Sequence, residues 1–268
     1  GKSTLNGVTY ELAKNSAEVN NLHSGPDYYR DRIWDAEVEE TALGTTITFG
    51  LHSPDGDQGY PGNADITVSY TLTPDNCLKL DYHMVSDADT IANFTNHVYF
   101  NLGGYKSGSV LDQKVWIDAD YFTATDANSI PTGELVAVKG TPMDFTEMKP
   151  IGRDIQEDYQ ALKYGNGYDH NWALNHPAGE LSLSAKAEDE KTGRTMEVYT
   201  DLPGVQFYTA NSLKTERGKN HAVYTPRCGY CFETQYFPDA INKPEFASPV
   251  IKAGEEYKTT TIYKFGVK

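Results

Sequence analysis

Period-two alternation of apolar and polar residues recurs along nearly the whole chain, with almost no helical pattern between the repeats. Thr45–Leu51 and Ala64–Leu72 alternate in this way and are rich in β-branched residues. Cys77–Val85 follows after Thr73-Pro74-Asp75-Asn76, a turn-like connector. Lys114–Ala119, Leu181–Ala185, Arg194–Thr200, Gly204–Thr209 and Tyr257–Phe265 read the same way. The best helical candidate is short, Asp154 to Leu162, about two turns. Strands at this spacing without helices between them predict antiparallel sheets rather than βαβ units. Alternation further predicts one buried and one wet face per sheet. No repeat, low-complexity linker or charge run divides the chain. The expectation is therefore an all-β protein, one large antiparallel β-sandwich domain spanning residues 1–268.

Charge narrows the partners. A formal net charge of −15 repels a nucleic-acid backbone or an anionic membrane surface. Arginine is limited to Arg30, Arg32, Arg153, Arg194, Arg217 and Arg227, with no cluster able to clamp a phosphate, so a neutral ligand is expected. Tyrosine is abundant, 19 residues against 3 Trp. It favours strands, and it also combines a stacking face with a hydroxyl, as sugar sites require. No window approaches the roughly 20 apolar residues of a membrane span, and the N-terminus lacks a signal-peptide pattern. Three cysteines cannot all pair with one another, which points to a reducing, cytoplasmic compartment.

Three motifs invite chemistry that their context does not support. Gly1-Lys2-Ser3-Thr4 resembles the tail of a phosphate-binding loop, but Asn6-Gly7 follows it and signals a hairpin turn instead of a helix. Cys228-Gly229-Tyr230-Cys231 has dithiol spacing, yet it runs into strand-like Phe232-Glu233-Thr234-Gln235 rather than opening a helix. The histidines show no HxH or HExxH spacing, so no metal is expected.

Three polar segments set in aromatics remain. Asn93–Leu102 is strand-like and carries His97 where a core strand would hold Val or Ile. Glu233 lies between Phe232 and Thr234, where burial is costly without partners. It is either a satisfied carboxylate in a buried network or a general base whose pKa burial has raised. His97 is either a core histidine bonded to backbone or the complementary acid. Asp169 reads as a turn residue that caps its own backbone or as a ligand contact. His23 sits in a loop, where polar ligand contacts are common. Spacing alone does not name the reaction.

The assembled motifs resemble the aldose 1-epimerase (galactose mutarotase) family. The matching runs are Asn21–Pro26 with Arg32–Asp35, Ser53–Gly56 with Gly59–Asn63, Asn96–Leu102, Ile130–Glu134, Gly140–Phe145, Tyr168–Asn171, Pro203–Gln206, Glu233–Gln235 and Phe237–Ala240. They occur in the family's order across nearly the whole chain. The resemblance implies a β-sandwich of the galactose mutarotase type that interconverts the α and β anomers of free hexoses without a cofactor. It implies Glu233 as general base, His97 as general acid, and His23, Asp169 and Gln206 as sugar-hydroxyl ligands, with His170 supporting Asp169. Family members normally carry about 60–80 further residues before the point where this sequence begins, an ordinary size for such a segment. That segment holds an arginine which contacts the sugar. The expected partners are accordingly a hexose and a separate N-terminal polypeptide completing the fold. The competing classes are a glycoside hydrolase using Asp169 and Glu233, a hexose-phosphate epimerase, and a non-catalytic sugar-binding protein on the same scaffold.

Overall fold

The computed structural model describes residues 1–268, which group into two compact units. The first comprises Gly1–Pro74, Leu78–Phe94 and Asp239–Thr260. It opens with a hairpin, Lys2–Leu5 against Val8–Glu11, turning through Asn6 and Gly7 at φ 51° and 79°. That positive-φ pair is the type I′ geometry for which Asn-Gly is suited, so the phosphate-loop resemblance of Gly1–Thr4 ends in a strand. A meander of four antiparallel strands follows: Asp35–Thr41, Gly44–Ser53, Ala64–Leu72 and Cys77–Ser86. Ile66 and Val68 pair with Met84 and Tyr82, and alternation buries all four on one face. The edge strand Asp35–Thr41 escapes sequence reading because Glu37, Glu39 and Glu40 mask its period. Acidic side chains on an exposed edge oppose pairing with other chains.

The second unit comprises Asp75–Cys77, Thr95–Pro238 and Thr261–Lys268, and it contains two packed antiparallel sheets. One has Ser182–Glu188 at its centre, flanked by Lys114–Ile117 and by Arg194–Thr200. The latter pairs with the C-terminal half of Glu256–Val267. The other runs in the order Pro131–Ala137, Tyr121–Thr125, Asp169–Ala173, Gly204–Tyr208, Cys231–Gln235. Its inner face presents Trp172, Phe207 and Phe232, all completely buried. Phe207 stacks on Phe232 at 5.1 Å, and Phe145 meets Trp172 and Phe207 edge-on. The Tyr263 hydroxyl crosses from the first sheet to donate to the Phe232 carbonyl at 3.0 Å, satisfying a phenol that apolar packing alone would strand. No helix is long and apolar enough to cross a membrane.

Strands expected at 64–72 and 194–200 are found with those bounds. Three local expectations are corrected. Asn93–Leu102 is not a strand. Only Phe100 is laddered, by an isolated bridge to Tyr230, while the Asn96 carboxamide accepts the Val98 N–H and turns the chain locally. The helix is Gln160–Gly165 rather than Asp154–Leu162. Asp154 is held by Lys149 and Arg153 in a turn, the chain turns and bends on through Asp158, and only Tyr159, just before the helix, is extended. Asp169 is not a turn cap but the first residue of a strand.

Candidate active site

Period two sets what the outer face of the five-stranded sheet presents. Asp169, Asn171 and Ala173 oppose Tyr208, Gln206 and Gly204, and these oppose Cys231, Glu233 and Gln235 in turn. Every second residue of three adjacent strands thus falls on one surface, and seven of the nine carry hydrogen-bonding or ionisable groups. The intervening residues form the inner face, which carries the aromatics Trp172, Phe207 and Phe232. Glycine is required at 204: a Cβ there would lie 2.5 Å from the Asn171 Oδ1 and 2.8 Å from the Phe237 ring.

Side-chain amides knit this surface together. The Gln206 Nε2 donates to the Asp169 Oδ1 at 2.8 Å. The Gln235 Nε2 lies 3.2 Å from the Asn171 Oδ1 and 3.4 Å from the Gln206 Oε1. The Asn171 Nδ2 is buried without a partner. Beneath the surface His170 faces the other way, its Nδ1 accepting the Asp169 N–H at 3.1 Å. Burial pushes His170 down to about 4, so the ring is neutral and acts as a backbone acceptor.

His97 reaches this surface from the irregular 93–99 segment. Its Nε2 lies 3.6 Å from the Glu233 Oε1, and its Nδ1 lies 3.4 Å from the Cys231 Sγ. The Tyr99 and Tyr208 rings flank the imidazole at 5.2 and 6.1 Å. The Glu233 side chain is only 8% exposed whereas that of His97 is 34% exposed, so the carboxylate is dry and the imidazole reachable. Burial, then the charge of Asp169, pushes the Glu233 carboxyl up to about 8. Burial also raises Asp169, to about 6, against the lowering effect of its Gln206 hydrogen bond. A carboxyl with this proton affinity beside an imidazole can accept and return a proton near neutral pH.

Four of the expected residues, His97, Asp169, Gln206 and Glu233, therefore share one face of the second unit. His23 belongs to the first unit. It sits at φ 59° in an exposed loop whose carbonyls are held by Asn15 and Asn21. Sequence reading missed Cys231, Tyr208, Asn171 and Gln235. The signal was present, since each lies two residues from a residue already singled out.

A family model described as Aldose 1-epimerase matches residues 1–264. The chain is 41% identical over its whole length to a galactose mutarotase of Bos taurus, covering 75% of that protein. It is 35% identical to an aldose 1-epimerase of Escherichia coli (strain K12), with 98% of this chain and 75% of the relative aligned. A solved galactose 1-epimerase from Lactobacillus acidophilus superposes with a TM-score of 0.86 at 27% identity, covering 100% of this chain and 76% of that one. The fold is accordingly an antiparallel β-sandwich of the galactose mutarotase type, and the chain belongs to the aldose 1-epimerase family.

Proposed function

We propose that this chain interconverts the α and β anomers of a free hexose of the glucose or galactose kind, with Glu233 as base and His97 as acid. Glu233 takes the proton of the C1 hydroxyl while His97 gives a proton to the ring oxygen. The bond between C1 and the ring oxygen breaks and leaves an open-chain aldehyde. Rotation about C1–C2 presents the other face of the carbonyl, and closure reverses both transfers. Protons and electrons balance without a cofactor or second substrate.

One observation carries this reading: the 3.6 Å between the His97 Nε2 and the Glu233 Oε1. Both oxygens that exchange protons are bonded to the same carbon, so an acid and a base must converge to within a few ångströms. Asp169 and Gln206, on the same face, would take sugar hydroxyls, with His23 as a further ligand. A neutral sugar is favoured over a sugar phosphate because the arginines are few and unclustered in sequence, and three of them are already engaged. Arg32 grips both oxygens of Asp57, Arg153 pairs with Asp154, and Arg194 donates to the Leu102 carbonyl. Three free cysteines support a cytoplasmic setting as part of the same proposal.

Polarimetry on freshly dissolved α-D-glucose and α-D-galactose is the test. Glu233→Gln and His97→Asn should each slow enzymatic equilibration by roughly 10²–10⁴-fold, the usual worth of a positioned acid or base, with the far-ultraviolet spectrum unchanged. Folded variants that keep the parent rate would remove both roles and leave a sugar-binding scaffold.

A further inference from the structure

Cys231 lies two residues before Glu233 on the same strand and the same face. Residues i and i+2 of a strand stand about 6.5–7 Å apart, and one imidazole spans that gap. Its Nδ1 meets the Cys231 Sγ at 3.4 Å, and its Nε2 meets the Glu233 Oε1 at 3.6 Å. Cys231 is completely buried, so the thiol is no surface nucleophile. We propose that Cys231 is a positioning residue for His97, its sulfur accepting from Nδ1–H so that Nε2 alone gives up and takes back the exchangeable proton. This deepens the reading of His97 as the acid and rests on it.

A thiol is a weak acceptor as well as a weak donor, and its weakness as an acceptor is useful here. In the neutral imidazole, the partner of one ring nitrogen decides which nitrogen holds the proton. A sulfur lone pair directed at Nδ1–H keeps that proton on Nδ1 once Nε2 has given its own to the ring oxygen, so Nε2 is free to take it back on closure. Burial and the charges of Glu233 and Asp169 push the thiol upward, which keeps the S–H intact near neutrality. In the imidazolium, the Nδ1–H meets sulfur, a poor acceptor, so the cation is not locked in place as a carboxylate partner would lock it. The Nε2 proton stays available for transfer. Tyr99 of its own segment and Tyr208 of the neighbouring strand also face the ring. Asp169 acts on Glu233 through charge.

The direct measurement needs no variant. In uniformly ¹⁵N-histidine-labelled parent protein, the shifts assigned to His97 should report the Nδ1–H tautomer when the ring is neutral. An Nε2–H tautomer would overturn the proposal. Kinetics supply the second arm. Cys231→Ala should lower kcat about tenfold, the worth of one well-placed hydrogen bond, with KM within about twofold and a mixture of tautomers at His97. Cys231→Ser should return kcat to within about threefold of the parent. Its hydroxyl accepts from Nδ1–H better than sulfur does, so the basic limb of the kcat–pH profile should move upward. Parent values of kcat and an unmoved pH profile in Cys231→Ala would sink the idea. If instead His97→Asn and Glu233→Gln keep the parent rate, the acid–base reading is what fails, while the tautomer measurement still scores the Cys231 contact by itself.

Discussion

At the scale of single residues the determining fact is a carboxyl group placed where water does not reach it. Glu233 costs stability when ionised, and its direction of shift fixes the sign. The folded pKa is raised from 4.5 to about 8, so folded and unfolded states are equally protonated below pH 4.5. Between 4.5 and 8 the unfolded state releases its proton first, and stability falls across that window. Glu233→Gln removes the titration. Its thermal midpoint should match the parent's near pH 4 and exceed it at pH 8, by a stabilisation on the order of a few kcal/mol. An equal or lower midpoint at pH 8 would contradict the burial argument. The same group sets the rate. A general base must be unprotonated, so on the acid side of its profile kcat/KM, after subtraction of the solvent-catalysed rate, should climb from pH 5 toward pH 8. A profile already flat at pH 5 would exclude Glu233 as that base.

At the scale of elements, three neighbouring strands convert a one-dimensional alternation into a two-dimensional array, and their register decides which side chains become neighbours. Gln206 lies directly across from Glu233 and from Asn171, and a slip of one residue would turn the whole polar set into the aromatic core. Gly204 guards the end of this array, because the Asn171 carboxamide and the Phe237 ring occupy the space a side chain would need. Gly204→Ala should cost about 1–3 kcal/mol in denaturant unfolding, the usual range for overpacking. It should also raise KM, because Asn171 cannot move without disturbing Gln235 and, through it, Gln206. A variant with unchanged midpoint and KM would show that the array tolerates the intrusion.

At the scale of the whole molecule, the chain passes repeatedly between its two compact units, the last time inside one continuous strand, Glu256–Val267. We expect the single domain inferred from the sequence to unfold as one. Calorimetry should give one transition with equal calorimetric and van't Hoff enthalpies, and two resolved transitions would divide the domain. Much of this architecture was legible beforehand. Alternation at 64–72 and 194–200 names those strands because each residue's face depends only on its neighbours in sequence. The acidic edge strand at 35–41 hid because surface charge, not burial, chose its residues. A turn cap stayed open as one of two readings of Asp169 because Gly165 and Gly167 before it mimic turn chemistry, whereas pairing with Tyr208 makes it a strand residue. The residue types at 97 and 233 announced acid–base capability, and the order of motifs announced the family. Neither fixed the distance between an imidazole and a carboxylate separated by more than a hundred residues, nor placed a thiol at the back of the ring. Sequence determined the elements and the chemical inventory, since those are local properties of side chains. The close approach of His97, Cys231 and Glu233 is a product of sheet register and packing, which no local stretch of chain encodes.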